Sequence, residues 1–532
     1  MKKKGGQSSS DDLSHMLETV HDDLSKMLEE SVTEDDMSMS MDFGESSTCE
    51  SLPQNQAVLE LVSKNAATTN LKDPTTSRGK AFQWLTTFKR TLDPCGSPPQ
   101  TLQLYSLLVF YYATGGSNWT KNDGWLKDEN YCSWYGVTCD LEDKVFELTL
   151  DKNNLQGTLP QEISLLDTME SFGVYQNALS GTVPNGIVEW TELRLLDLED
   201  NQFTGPAFPD KLSQWSQLES YQVSNNDLTG PMISDFYALP ELRKLWVAGN
   251  KITGSLPKSL MYSTKLQSLV FYDNMVAGNI PPEIGKLNLT NFLAFNNLMA
   301  GTIPEEFYGN TNLVDLRIEN NTFSGTISSA LGNLVRLQSL RLGDNGFQGT
   351  IPTELKSLSN LVILSMNGTS LSGSIPDAFG TFQKLEYADF SNAYFTGQLP
   401  RTIFDIPSIS ALYFNDNFLT GSIPGNYLTS SKLRDLYLSN NRLNGTLPDI
   451  KPGQSRDALT ELLIDGNEIS GQVPASICEL VGFTAMERDT GVKRTAGLAT
   501  RNEQLSIRAD HCNAKKKVSC DCCTPCPKSK AS

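Results

Sequence analysis

Between Val145 and Pro474 one short pattern recurs fourteen times: apolar, two spacers, apolar, spacer, apolar, two spacers, Asn, spacer, apolar, spacer, Gly. Three copies read LRLLDLEDNQFTGP (193–206), LQSLRLGDNGFQGTIP (337–352) and LRDLYLSNNRLNGTLP (433–448). The Asn position falls at 153, 177, 201, 226, 250, 274, 297, 321, 345, 369, 393, 417, 441 and 467. Ten of the thirteen intervals are 24 residues, and the others are 25, 23 and 26. A single copy cannot bury its own apolar face, so a chain with such a period has to stack its copies into a solenoid. The expectation is one long surface rather than a set of globules with deep pockets.

Within each copy the L-x-L alternation has period two, so one short strand turns its Leu, Val or Phe inward and its spacers outward. The Asn that follows can bond backbone groups of neighbouring coils through its amide, the one inward polar group such a stack satisfies at every step. Thr369 and Ala393 stand in its place in two adjacent copies, which weakens the stack there. Each copy closes on L-x-G-x-I/L-P, where Gly accepts positive φ and Pro ends strand pairing. Fourteen strands at ~4.8 Å give a parallel sheet about 65 Å long.

The flanks have other compositions. Residues 1–78 are rich in Ser, Asp, Glu and Met and are expected to be a disordered acidic tail. Within it DDLSHMLE (11–18) recurs as DDLSKMLE (22–29), with an apolar stripe from Leu13 to Leu28 that suits either a transient helix or a helix docking on a partner. Residues 79–100 are read as a short helix (AFQWLTTFKRTL) and a linker, DPCGSPPQ, whose prolines oppose helix. Residues 101–144 form an N-terminal cap: an apolar helix, Leu102–Ala113, leads to Trp119, Trp125, Trp134 and Tyr135, which can cover the open first coil. Residues 475–532 are a Cys-rich C-terminal cap and tail.

Charge and residue usage exclude several functions. The formal net charge of −19 argues against nucleic acid, whose phosphates require clustered Lys and Arg. No stretch approaches the roughly 18–20 apolar residues of a membrane span, and no apolar run follows the basic MKKK start as in a secretory leader. The repeats contain neither His nor Cys, which removes Ser-His-Asp and Cys-His chemistry and ordinary zinc sites from the solenoid. No phosphate-binding loop or kinase motif occurs, so no cofactor and no metal is called for. Asp197, Glu199 and Asp200 cluster in one copy, but on an open face where water is expected to keep them ionised.

Cysteines gather at the solenoid ends instead: Cys132 and Cys139 before it, and Cys478, Cys512, Cys520, Cys522, Cys523 and Cys526 after it. Such a placement suggests disulfide closure in an oxidising compartment, with the pairing of the last six left open. Sequons at Asn118, Asn288, Asn320, Asn367 and Asn444 agree with an extracytoplasmic location, although a repeat built from Asn, Gly and Thr also generates them. The alternative location is the cytoplasm.

Binding residues are sought in the outward columns of the sheet. At the spacer between the strand apolars, Trp246, Val270, Leu293, Arg317 and Arg341 follow one another in successive copies. Two residues further on, Tyr272 and Phe295 extend the middle of that row. These are expected to form an exposed apolar patch with an Arg pair beside it able to clamp a carboxylate or sulfate. Tyr387, Tyr413 and Tyr437 form a second aromatic strip. Glycans at Asn320 and Asn367 would crowd the same surface.

The unit LxxLxLxxNxLxGxIP resembles the plant-type leucine-rich repeat. TGGSNWTKNDGWL…CSWYGVTC resembles that family's N-terminal cap, with Cys132 and Cys139 at its paired cysteine positions. ADHC…VSCDCCTPC (509–526) resembles the tail of receptor-like proteins of an algal, diatom-like branch. The resemblance implies an α/β repeat fold: a right-handed solenoid with a concave parallel sheet and an irregular or 3-10 convex side. It also implies a non-enzymatic recognition module for a protein, peptide or glycan ligand, with a membrane co-receptor as a further partner and no kinase domain in this polypeptide. The alternative is a structural or adhesive surface or matrix protein, presenting the Ser/Thr row before each I/L-P: Thr158, Thr182, Ser255, Thr302, Thr326, Thr350, Ser374, Ser422 and Thr446.

Overall fold

Each 24-residue copy folds into one coil, and the Asn side chain fastens each coil to the next. The computed structural model describes residues 49, 52–66, 69–87, 94–128, 130–232, 236, 239–377, 379–449, 459–474, 477, 506–508 and 518–519. Asn201 shows the pattern. Its Oδ1 accepts from the Leu179 N–H of the preceding copy at 3.0 Å. Its Nδ2 donates to the Val174 carbonyl of that copy at 2.9 Å and to Leu198 and Glu199 of its own at 3.2 and 3.1 Å. Asn226, Asn250, Asn274, Asn297 and Asn321 repeat this arrangement, as do Asn417 and Asn441. Thr369 reaches only the Met366 carbonyl of its own copy, at 2.8 Å, and Ala393 has no side-chain donor at all. The expected weak point is therefore present.

The residue before each Asn turns into the left-handed region, with φ of 52° at Asp200, 55° at Asn225 and 60° at Gly249. That explains why Asp, Asn or Gly precedes the ladder Asn in most copies, since these residues tolerate αL best. The chain then leaves the main sheet, forms a short flanking strand such as Thr322–Thr326, and returns through a 3-10 turn such as Ser329–Asn333. Among the described residues the main sheet has sixteen strands, and all but the first pair run parallel. Register is held copy by copy: Trp246 pairs Val270, Val270 pairs Leu293, Leu293 pairs Arg317 and Arg317 pairs Arg341. The outward columns read from the sequence are thus real columns in space.

At the start of the solenoid three indoles pack together. Trp119, Trp125 and Trp134 are buried, with ring centroids 4.9 and 4.7 Å apart in succession. Their indole N–H groups donate to the carbonyls of Thr114, Tyr135 and Asp128, so no polar atom of the three indoles is stranded. The cap helix begins earlier than Leu102. It spans Pro98–Ala113, because prolines in a first helical turn lose no hydrogen bond. DPCGSPPQ is therefore only partly a linker.

One further helix, Gln54–Asn65, corrects the expectation of disorder across residues 1–78, and the short helix expected over AFQWLTTFKRTL begins earlier, spanning Ser77–Thr87. The chain divides into two compact units, Met1–Ala57 and Val58–Ser532. In the second, Val58, Val62, Ala81, Phe82 and Leu85 join the continuous apolar core, and Arg78 pairs with the almost fully buried Glu162. The apolar spacing of Gln54–Asn65 is helical, and the acidic, Ser-rich surroundings concealed it. The repeated DDLSxMLE segment lies outside the described residues. At the other end, Ser506–Arg508 pairs in parallel with Glu461–Leu463, so the main sheet continues beyond the last repeat.

The acidic cluster also needs correction. Burial against the sheet pushes the Asp197 carboxyl up to about 6 and Glu199 up to about 7, with neighbouring carboxylates adding repulsion. Asp197 and Glu199 are therefore not held in the ordinary carboxylate range by an open, watery face.

Two outcomes follow from this architecture. Asn201→Ala should cost about 1–3 kcal/mol in denaturant unfolding, because it strands the Leu179 N–H, whereas Ala393→Asn should add about 1 kcal/mol; an unchanged midpoint in the first would contradict the ladder. Asp197 and Glu199 bind protons more tightly folded than unfolded, so their burial costs stability above pH ~7, a cost that fades as pH falls toward ~4. Thermal midpoints of Asp197→Asn/Glu199→Gln should therefore depend less on pH in that window than those of the native chain, and identical slopes would refute the assignment.

Candidate ligand-binding surface

Alternation places every second side chain of the main sheet on its open face, and parallel pairing lines these up across coils. Trp246, Tyr272, Leu293, Phe295, Arg317 and Arg341 are all half-buried there. Val270 is not available: it is only 8% exposed, shut between its taller neighbours. The expected exposed patch is therefore a set of half-buried faces around a filled centre. Tyr272 and Phe295 stack with centroids 4.3 Å apart and planes 7° apart, a rigid two-ring platform. The Trp246 indole N–H donates to Ser268 Oγ at 2.8 Å, and Lys244 Nζ sits 5.1 Å above the ring. Trp246 is thus fixed in place, with a cation of the chain itself on one side.

The Arg pair is unequal. Arg317 is held from both ends by Asp315, Nε at 2.9 Å and an Nη at 2.8 Å. Asp315 and Arg317 are two apart on one strand, hence on one face, and the sequence could have disclosed this. Arg341 makes no ion pair among the described residues, and its Nε is buried without a hydrogen-bond partner. Burial pushes the Glu319 carboxyl up, against the opposing pull of Arg341 and Arg317. The guanidinium open to an incoming anion is therefore that of Arg341, and the expected two-armed clamp is not formed.

The tyrosines of the second strip lie side by side. Tyr387 and Tyr413 are 5.3 Å apart, and Tyr413 and Tyr437 meet edge to face at 4.6 Å. Carboxylates not anticipated as part of it surround the rings. The Tyr387 hydroxyl donates to Asp389 at 3.2 Å and that of Tyr437 to Glu461 at 2.6 Å. The Tyr413 phenol is pushed up by burial, then by Asp435, Asp389 and Glu461.

The Cys132–Cys139 disulfide is present. Cys49 and Cys95, which residue spacing did not single out, are disulfide-bonded as well. Cys478, Cys512, Cys520, Cys522, Cys523 and Cys526, and with them the tail compared to the algal branch, lie outside the described residues. Sequon residues Asn118, Asn288, Asn320 and Asn444 are exposed, and Asn367 is half-buried. Among the described residues no group of His, Cys, Asp or Glu could hold a metal ion, and no helix is long and apolar enough to cross a membrane.

Residues 102–140 match the family described as "Leucine rich repeat N-terminal domain", and residues 312–334, 336–358, 360–382 and 432–450 match "Leucine Rich Repeat". Receptor-like protein kinase 7 of Arabidopsis thaliana is 33% identical over 110 residues, 20% of this chain and 11% of that protein. The chain thus matches only about a tenth of that relative's length. Among solved structures, the plant peptide hormone receptor RGFR1 in complex with RGF2 is 31% identical, with a TM-score of 0.57 over 62% of this chain and 56% of the other. PEPR1–AtPEP1 is 26% identical, with a TM-score of 0.60 over 72% and 60%. The chain carries a leucine-rich-repeat N-terminal domain followed by leucine-rich repeats, in the solenoid fold of plant receptor ectodomains.

Proposed function

We propose that this chain is a non-enzymatic, extracytoplasmic recognition module that captures a peptide along the open face of its main sheet. The observation that carries this is the in-register row from Trp246 to Arg341, with the Tyr272–Phe295 platform beside it. Aromatic rings already held rigid lose little entropy on binding, and Arg and Trp are the side chains that most often dominate such interfaces. A peptide is favoured over a glycan because a solved structure of similar fold is a plant peptide hormone receptor in complex with RGF2. The Cys132–Cys139 bridge and the exposed sequons support the extracytoplasmic side. A membrane co-receptor is a further partner we propose, from the likeness of the fold to a plant peptide hormone receptor.

The adhesive alternative has less behind it. The Ser/Thr row is exposed, but Thr302 and Thr326 rest their methyl groups over Gly325 and Gly349 of the next copies. That contact is the repeat's own turn packing and specifies no partner.

Peptides selected from a random display library on the immobilised full chain should be lost by both Trp246→Ala and Arg341→Ala, by about tenfold or more. Thermal midpoints should stay within about 3 °C of the native value. Peptides retained by both variants would refute the proposed surface.

A further inference from the structure

The far end of the open face has a chemistry the Trp246–Arg341 row lacks. From Ile363 to Leu463 five strands place Tyr387, Asp389, Tyr413, Asp435, Tyr437 and Glu461 on the outer face, with no Lys or Arg among their own residues; the next strand of the sheet, Ser506–Arg508, sets Arg508 in register with Leu463. Arg434, one residue before its strand, stands exposed on the rim. Elsewhere the chain covers solvent-facing rings with its own cations: Lys121 over Tyr135, Lys152 over Tyr175 and Arg442 over Phe418, each at 4.9–5.1 Å. Among the described residues no cation of the chain sits over Tyr387, Tyr413 or Tyr437.

The geometry favours an incoming positive charge. Tyr387 and Tyr437 direct their hydroxyls to Asp389 and Glu461, which fixes their ring planes. Tyr413 stands between them without a carboxylate on its own hydroxyl, ringed by Asp389, Asp435 and Glu461. A half-desolvated aromatic surface with carboxylates at its edges attracts an ammonium or guanidinium twice, through the ring quadrupole and through direct charge. A neutral ligand would draw on neither attraction.

We propose that Tyr387, Tyr413 and Tyr437, with Asp389, Asp435 and Glu461, form a subsite for a Lys or Arg side chain of the captured peptide. This rests on the peptide-capture function proposed above and adds polarity to it. Tyr413 is three strands beyond Arg341 in the same column, about 14 Å at the usual strand spacing. An extended peptide covers that span in about four residues. The ligand this face fits carries an acidic group over Arg341 and a basic one about four residues away.

The test uses the full chain and short fluorescein-labelled peptides of alternating Lys and Ser, alternating Glu and Ser, or Gly and Ser alone, followed by fluorescence anisotropy. The Lys peptide should bind best. Tyr413→Ala should weaken it about fivefold and Tyr413→Phe should restore it, since the ring and not the hydroxyl meets the cation. Asp389→Asn/Glu461→Gln keeps the hydrogen bonds to both tyrosines and should weaken binding similarly, which preserves the test should Tyr413→Ala fail to fold. Glu305→Gln/Glu306→Gln removes the same charge from the 3-10 side and should change nothing. Equal losses in the two charge variants would reduce the effect to general acidity and overturn the subsite. So would Lys-peptide binding indifferent to Tyr413→Ala, or a neutral oligosaccharide that requires Tyr413. Display-selected peptides that still depend on Trp246 would then leave the larger function standing, whereas peptides indifferent to Trp246 would remove it whatever Tyr413 does.

Discussion

One buried amide, repeated down the stack, holds this molecule together. A coil of 24 residues leaves backbone N–H and C=O groups facing the next coil at the bend where the strand ends, and a buried group without a partner costs about 1–3 kcal/mol. The ladder Asn is placed to satisfy both kinds at once, accepting from the previous coil and donating to carbonyls of both. Apolar side chains such as Leu196, Phe203 and Leu198 then fill the space the amides have fixed. Because the amide sets the offset between coils, it also sets the offset between outward columns. The binding surface inherits its regularity from an interaction on the opposite side of the backbone.

This division explains what could be read beforehand. Period and alternation state which residues face in and which coil follows which, so the solenoid, its columns and the weak copies at Thr369 and Ala393 were legible. The helix Gln54–Asn65 was not, because the surrounding composition is that of a solvated tail. The start of the cap helix at Pro98 was missed because proline was treated as a breaker where it serves as an opener. Val270 was misjudged because a column position specifies direction and not height: a Val between Trp246 and Leu293 is overshadowed.

The electrostatics of the open face were the least legible. Cross-strand and same-strand pairs decide which charges remain available, and only some follow from spacing. Asp315-x-Arg317 and Tyr387-x-Asp389 are two residues apart on one strand and could have been paired by rule. The Tyr437–Glu461 bond joins neighbouring copies on a diagonal and depends on side-chain reach. The acidic rise of Asp197 and Glu199 depends on how completely the sheet dries them, which no residue count discloses. The result is a face that is unequal along its length: a dehydrated acidic start, an aromatic and guanidinium middle, and a tyrosine–carboxylate end.

The most direct measurement is photo-crosslinking: a display-selected peptide bearing a photoreactive phenylalanine is irradiated on the full chain, and the attached residues are identified by mass spectrometry. The account predicts attachment on the outward positions of the strands from Lys244–Trp246 to Ser339–Arg341. Attachment confined to the 3-10 turns, such as Glu305–Gly309, or to the cap, would contradict it.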